Sequence, residues 1–251
     1  MEIFDSHLHL VGNLSLGETF SKLVEDCRLA EVNGGLIICM QNDPWDFRDV
    51  AELTFLNRNF RFAINPNLHV TRKDLEKTIA NGKETGAVAL KIHPRKQRLN
   101  LKTKEVRSLV RMAKDFNLPV IICSFDDGSW SRVGLRKSQF LELADDFPEV
   151  KFLWAHAGGH HVLDFMFMAR RVQNVFLDTS YTQSYFFKGT VLEDLNYATE
   201  SLPTRFMFGT DFEQSSYSES VKKLSDYYLG NNRDRGALFN GNYKKFLNIH
   251  E

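Results

Sequence analysis

The chain has 251 residues, of which 43% are hydrophobic, with 32 basic and 32 acidic side chains. This length suits one large domain, and the balanced charge excludes bulk electrostatic attraction to nucleic acid or to an anionic membrane surface. The three cysteines are widely spaced and form neither a disulfide framework nor a CxxC zinc motif. No signal-peptide pattern and no apolar run of about 18 residues is present. We therefore expect a cytoplasmic protein without a membrane span.

Short aliphatic or β-branched runs alternate along the chain with amphipathic stretches. Eight runs predict strands: Ile3–Phe4, Gly35–Met40, Phe60–Ile64, Ala87–Ile92, Leu118–Cys123, Val150–Ala155, Val175–Asp178 and Arg205–Phe208. Five stretches predict helices: Leu16–Val32, Thr103–Phe116, Lys137–Phe147, Ser216–Leu229 and Asp234–Leu247. The first of these helices follows Ser15, and Glu18 lies three residues later, as in a capping box.

Strands that alternate with helices predict parallel βαβ units and an α/β fold. Eight such units in about 250 residues favour a closed (β/α)8 TIM barrel. We expect it to form a single domain over residues 1–251. The alternative is an open, doubly wound sheet.

Polar residues follow four of the predicted strands. His7 and His9 come after the first strand, and because residues i and i+2 of a strand point to the same face, both imidazoles project together. His93 follows the fourth strand, His156 the sixth and Asp211 the eighth. A barrel gathers the carboxyl ends of its strands on one rim, where its active sites lie.

Histidine and carboxylate ligands together suit Zn²⁺, Mn²⁺ or Fe²⁺, and zinc is the first expectation. His160 and His161 begin the helix after the sixth strand, and one of them, His160 first, could reach the rim, although simple exposure at the surface is the favoured interpretation. The sequence thus predicts a divalent metal site at the open end of the barrel.

Five motifs in this order resemble the amidohydrolase superfamily: FDSHLH, LKIHPRKQ, LWAHAGG, VFLDTS and FMFGTDF. Within it the chain is similar to the branch of small amidohydrolase-related proteins, which includes hydrolases, lactonases and some decarboxylases. The resemblance spans nearly the whole chain and implies a (β/α)8 barrel with one or two divalent metals.

Carried over by position, the resemblance implies that His7 and His9 are metal ligands. It implies that Asp211 touches the metal and accepts a proton from the nucleophilic water. His156 would be either a ligand of a second metal or an acid/base facing the substrate. His93 and Gln97 would line the pocket or add to the metal shell.

The fifth strand departs from the family pattern, because Cys123 stands where a histidine ligand is usual. Three interpretations remain open. Cys123 could replace the imidazole with a thiolate, which zinc accepts. His93 or Asp126 could complete the shell instead, or the site could bind metal weakly or not at all. Lys91 could be carbamylated and bridge two metals, as in some superfamily members, but a substrate-binding or structural cation and a single metal are the favoured expectation.

Residues around the rim are candidates for substrate contacts. We expect Lys91, Gln97 and Trp130 to bind substrate. Arg95, Lys96 and Arg98 could attract an anionic substrate, but a solvated loop is the favoured interpretation of these three residues. Specificity in barrels lies in the βα loops. The mouth is therefore expected in four stretches: Val11–Gly17, Gln41–Asp46, Phe125–Arg136 and Thr182–Gly189.

The predicted function is hydrolysis of a small-molecule amide, ester or lactone, with Asp211 as general base and His156 assisting. One alternative is non-oxidative decarboxylation of a small carboxylic acid, and another is a catalytically silent barrel with a degraded metal site. A metal-dependent nuclease is disfavoured because the chain is not basic and its fourth strand has no glutamate. A homo-oligomer is compatible with the sequence.

Overall fold

The computed structural model describes residues 1–10, 14–186, 188–212, 217, 221 and 235–249. Eight parallel strands lie side by side in chain order: β1 (Phe4–Leu8), β2 (Gly34–Cys39), β3 (Phe60–Ile64), β4 (Ala89–Ile92), β5 (Val120–Cys123), β6 (Phe152–Ala155), β7 (Val175–Asp178) and β8 (Phe206–Met207). The segment after β8 closes the ring against β1, since Ser6 N donates to Phe208 O and Asp211 N donates to His7 O, both at 2.9 Å. The expected (β/α)8 barrel is confirmed, and an open doubly wound sheet is excluded.

Helices surround the strands on the outside. They are α1 (Leu16–Leu29), α2 (Phe47–Leu56), α3 (Arg72–Glu84), α4 (Pro94–Gln97), α5 (Lys104–Asp115), α6 (Lys137–Asp146), α7 (Val162–Arg171), α8 (Thr182–Tyr185), α9 (Thr190–Ser201) and α10 (Asn242–Leu247). The capping box of α1 is confirmed, because Ser15 Oγ accepts from Glu18 N and Glu18 Oε2 accepts from Ser15 N. None of the helices within the described ranges is long and apolar enough to cross a membrane.

The last two expected helices lie in the segment that follows β8. The helix expected over Ser216–Leu229 lies outside the described residues except at positions 217 and 221. The closing helix, expected over Asp234–Leu247, has its regular α-helical part in α10, preceded by a π-helical turn over Ala237–Gly241.

The two-residue period of the strands divides the barrel interior into layers. Ile121 and Phe176 belong to an apolar cluster in the interior, and Phe246 of α10 packs on Phe176 with ring centroids 5.6 Å apart. Two residues further along the same strands come Cys123 and Asp178, both buried. The apolar layer thus forms a floor beneath a layer of polar side chains at the carboxyl ends of the strands.

Candidate metal centre

The two histidines of β1 lie at the open end of the barrel. The strand extends further than expected, so His7 lies inside it and His9 directly follows it. Their ring centroids are 5.3 Å apart; His7 is fully buried, whereas 15% of the His9 side chain is exposed. The pair therefore projects together, as the i, i+2 spacing predicts.

Hydrogen bonds determine which nitrogen of each ring carries the proton. His7 Nδ1 lies 3.1 Å from Asp178 Oδ2, and His9 Nδ1 lies 3.2 Å from the carbonyl oxygen of Ile38. Both partners are acceptors, so both Nδ1 atoms are assigned as donors. In a neutral imidazole the Nε2 atom then has a free lone pair, and the Lys91 ammonium 3.3 Å from His7 Nε2 is a donor to that lone pair.

Asp211 joins the two histidines. Its Oδ1 atom lies 3.5 Å from His7 Nε2 and 3.3 Å from His9 Nε2. The three atoms carry lone pairs and lie within 4.8 Å of one another, so a cation shared by all three would relieve their mutual repulsion. Ligand atoms in a tetrahedral zinc site with bonds of about 2.05 Å are about 3.3 Å apart. The spacing of these two nitrogens and one oxygen therefore fits ligands of a divalent metal ion.

The electrostatics favour the forms of these groups that bind metal. Burial, aided by the Lys91 cation, lowers the pKa of His7 to about 4, so its imidazole is neutral at neutral pH. Burial alone would raise the pKa of Asp211, but its contacts with His9, His156 and His7 hold it well below its usual range. No proton has to leave His7 or Asp211 before a cation binds.

His156 lies beside His7 and shares the support of Asp178. The centroids of the two rings are 4.9 Å apart, and His156 N donates to Asp178 Oδ1 at 2.7 Å. Its Nδ1 atom lies 3.2 Å from the carbonyl oxygen of Ser180 and 2.9 Å from Ser180 Oγ. Asp178 therefore holds both histidines through different oxygens, in the manner of the outer partners that orient metal ligands.

Cys123 lies beside His156 rather than between the two histidines of β1. Its sulfur interacts with the side chains of His93 and His156 and lies 3.5 Å from Arg95 Nη2. Burial alone would raise the pKa of Cys123, but the two histidines hold it well below its usual range. Among the described residues, the groups of three ligand atoms within 4.8 Å of one another include neither Cys123 nor His93. That either residue binds metal stays a prediction.

A cavity of about 650 Å³ opens over the histidine and aspartate side chains. The residues that line it are His7, His9, Leu10, Met40, Asp43, Pro44, Trp45, Lys91, His93, Arg95, Lys96, Phe125, Asp127, His156, Tyr181 and Asp211. Of the three residues expected to bind substrate, Lys91 belongs to this lining. The candidate metal ligands and the acid/base candidate therefore face one common space.

Gln97 and Trp130 are buried next to this cavity and bond to the backbone. Gln97 accepts from His93 N at 2.8 Å and donates to the carbonyl oxygen of Pro66 at 2.8 Å. Trp130 Nε1 donates to the carbonyl oxygen of Phe125 at 3.1 Å. Their bonds thus orient two lining residues, and their direct contact with substrate stays a prediction.

Several lining residues were not singled out from the sequence. Asp43 and Trp45 lie in the expected mouth loop 41–46, but nothing in that stretch marks individual residues. Tyr181 reaches the cavity because its backbone turns at a positive φ of 57° after β7. Arg95, by contrast, was a candidate for attracting an anion and was expected in a solvated loop; it lies on α4 and pairs with Asp127 at the cavity rim.

Comparisons with known proteins agree with this architecture. An uncharacterized TIM-barrel protein from Bordetella bronchiseptica has a TM-score of 0.82 at 16% identity, with 99% of each chain covered. Dihydroorotase from Campylobacter jejuni has a TM-score of 0.69 at 14% identity, covering 100% of this chain and 84% of that one. A 5-carboxyvanillate decarboxylase from Novosphingobium aromaticivorans, complexed with manganese and 4-hydroxy-3-methoxy-5-nitrobenzoic acid, has a TM-score of 0.63 at 14% identity, covering 90% and 79%.

At these identities the structural likeness shows the fold alone. No curated protein matches the chain. The family model described as "Amidohydrolase" matches residues 51–248, which include His156, Asp178 and Asp211. On this match over most of its length, the chain belongs to the amidohydrolase family.

Proposed function

We propose that this protein is a metal-dependent hydrolase of a small-molecule amide, ester or lactone. The observation that carries the proposal is that Asp211 Oδ1 lies 3.5 Å from His7 Nε2 and 3.3 Å from His9 Nε2 on the cavity side of the barrel. Ligand atoms of the three residues lie within 4.8 Å of one another. These three residues would hold one divalent ion, with zinc the first candidate and manganese or iron the alternatives. A bound divalent ion would lower the pKa of its water to about 7 and so supply hydroxide at neutral pH.

The chain's own side chains would then handle the proton and the substrate. Asp211, kept ionised by the neighbouring imidazoles, accepts the proton of the attacking water and returns it to the leaving group. Burial lowers the pKa of His156, but its contact with Cys123 outweighs this and raises it, which favours a protonated ring. His156 can therefore donate to the carbonyl oxygen as negative charge develops there.

Metal analysis and one isosteric substitution test the proposal. The purified protein should contain about one equivalent of a divalent metal in the barrel, and Asp211→Asn should lower turnover in a panel of lactones, esters and amides by about 10²-fold or more. Asp145→Asn, an exposed aspartate on α6, is the matched control and should retain full turnover. Full activity in Asp211→Asn would remove it as the base. A metal-free protein that gains no stability from added zinc or manganese would favour the catalytically silent barrel.

Decarboxylation of a small carboxylic acid is the second candidate, because one side of the cavity is cationic. Lys91, Arg95 and Lys96 all line it, and such side chains suit a carboxylate. The similarity to a decarboxylase complexed with manganese is compatible with this reaction. Decarboxylation would be favoured if the protein releases CO₂ from members of a panel of small carboxylic acids and hydrolyses none of the esters and lactones. Cytoplasmic location and a homo-oligomeric state stay predictions.

A further inference from the structure

Two histidines and an aspartate form a second cluster on the barrel rim. Asp126 follows β5, and His160 and His161 precede α7. One ligand atom from each of the three lies within 4.8 Å of the other two. We propose that Asp126, His160 and His161 form a separate surface site for a divalent transition-metal ion such as Zn²⁺.

The backbone after β6 brings the histidines to the aspartate. Gly158 and Gly159 have positive φ values of 80° and 62°, a conformation in which side chains are strained. A Cβ atom on Gly159 would lie 2.9 Å from the Phe125 ring. The chain can therefore pass directly against Phe125, which places His160 and His161 next to Asp126.

The geometry at the rim is close to that of a metal site. His161 Nε2 lies 3.6 Å from Asp126 Oδ2, compared with about 3.3 Å between ligands of tetrahedral zinc. Asp126 Oδ1 accepts from Gly128 N at 2.8 Å, which fixes the carboxylate with its other oxygen free for an ion. The His160 and His161 rings are tilted by 43° with centroids 3.9 Å apart, so both imidazoles lie on the same side of the rim as the Asp126 carboxylate.

The chemistry of the cluster selects the class of ion. Two imidazoles with one carboxylate suit zinc and its transition-metal neighbours, whereas Ca²⁺ and Mg²⁺ prefer all-oxygen sites. His160 is exposed, so water can fill the remaining coordination position.

The rim site shares no residue with the barrel centre. The centre takes its ligands from β1 and from the segment after β8, whereas the rim site takes them from the segments after β5 and β6. An ion at the rim would join the loop after β5 to the start of α7. The two sites can therefore be removed independently by substitution.

Zinc stoichiometry tests the proposal on the full chain. After chelator treatment, titration with Zn²⁺ should show two equivalents for the wild type and one for His160→Ala or Asp126→Asn, with the lost equivalent bound at least about tenfold more weakly. A variant with His9→Gln and Asp211→Asn should also bind one equivalent, and Cu²⁺ bound to it should show nitrogen coupling in its EPR spectrum. The asparagine keeps the acceptor for Gly128 N, so Asp126→Asn should fold normally.

His69→Ala is the matched control, because His69 is exposed and lies outside both clusters; it should keep two equivalents. The proposal is overturned if the wild type binds a single equivalent of Zn²⁺ and His9→Gln with Asp211→Asn removes it. It is also overturned if His160→Ala and Asp126→Asn still bind the second equivalent of Zn²⁺ as the wild type does. Loss of the barrel equivalent alone would count against the proposed function and leave the rim site standing.

Discussion

Asp178→Asn changes one buried charge and should remove metal from the barrel centre. The two oxygens of Asp178 have different tasks: Oδ1 accepts from the backbone N–H groups of His156 at 2.7 Å and Ser180 at 3.1 Å, and Oδ2 accepts from His7 Nδ1 at 3.1 Å. An asparagine must keep its carbonyl oxygen at the Oδ1 position to satisfy those two donors. Its NH₂ group then faces the N–H of His7, donor against donor.

The His7 ring can relieve this contact by moving its proton from Nδ1 to Nε2. The protonated Nε2 atom would then point towards Asp211, 3.5 Å away, and could no longer bind a cation. Substitution of an outer partner typically weakens metal affinity by about 10–100-fold. Because this substitution disables a ligand outright, we expect the upper end, which corresponds to about 2.7 kcal/mol.

Competition with a chelator of known zinc affinity at neutral pH measures this effect. The side chains are isosteric, so the circular dichroism spectrum should be unchanged, and Asp145→Asn should bind zinc as the wild type does. The expected loss of zinc affinity is about 10–100-fold. If Asp178→Asn instead binds zinc within about twofold of the wild type, the tautomer argument is refuted. His7 would then not bind the ion through Nε2.

Three further predictions concern stability, pH and anion binding. Gly158→Ala should lower the free energy of unfolding, measured by urea titration, by about 2–5 kcal/mol. The reason is that Gly158 has a φ of 80° and that a Cβ atom there would lie 2.2 Å from the buried ring of Phe165. Gly17→Ala is the control and should leave the free energy of unfolding unchanged, because Gly17 has open space around it. The pKa of His7 is lowered from 6.5 to about 4, so the unfolded chain binds more protons in that range. The metal-free wild type should therefore lose roughly 3 kcal/mol relative to His7→Gln as the pH falls from 6.5 to 4. Arg95→Met should weaken binding of benzoate about tenfold and leave benzamide unchanged in calorimetric titrations, whereas the exposed Arg98→Met should change neither.

Each of these three predictions has a result that contradicts it. Equal stability of the two alanine variants would show that the turn at Gly158 tolerates a side chain. A pH profile of the wild type parallel to that of His7→Gln would mean that burial does not suppress protonation of His7. Equal loss of benzoate and benzamide binding in Arg95→Met would indicate a steric rather than an electrostatic role.

Local patterns in the sequence were enough to predict the barrel and to select the principal candidate ligands of a metal. The alternation of strands and helices depends on side-chain periodicity within each segment, and the capping box of α1 involves Ser15 and Glu18 alone. The spacing of His7 and His9 already places both rings on one face. Asp211 follows the last strand, and a parallel barrel brings every strand's carboxyl end to one rim.

Other features depend on contacts between distant segments. The sequence predicts substrate contacts for Gln97 and Trp130, whereas only the structure shows that their side chains donate to backbone carbonyl groups next to the cavity. It offered Asp126 as an alternative ligand of the barrel ion, but the fold groups Asp126 with His160 and His161 on the rim. Residue type and spacing carry no information on which backbone groups another strand or loop presents.

The sequence by itself determined the class of fold and the candidate ligands His7, His9 and Asp211. Only the tertiary structure decided that Nε2 of each histidine faces the carboxylate, because the proton on Nδ1 is held by acceptors from other strands, Asp178 and Ile38. The physical reason is that periodicity sets the side of a strand from which a side chain projects, whereas the direction of its lone pairs and its charge depend on the neighbours that folding brings to it.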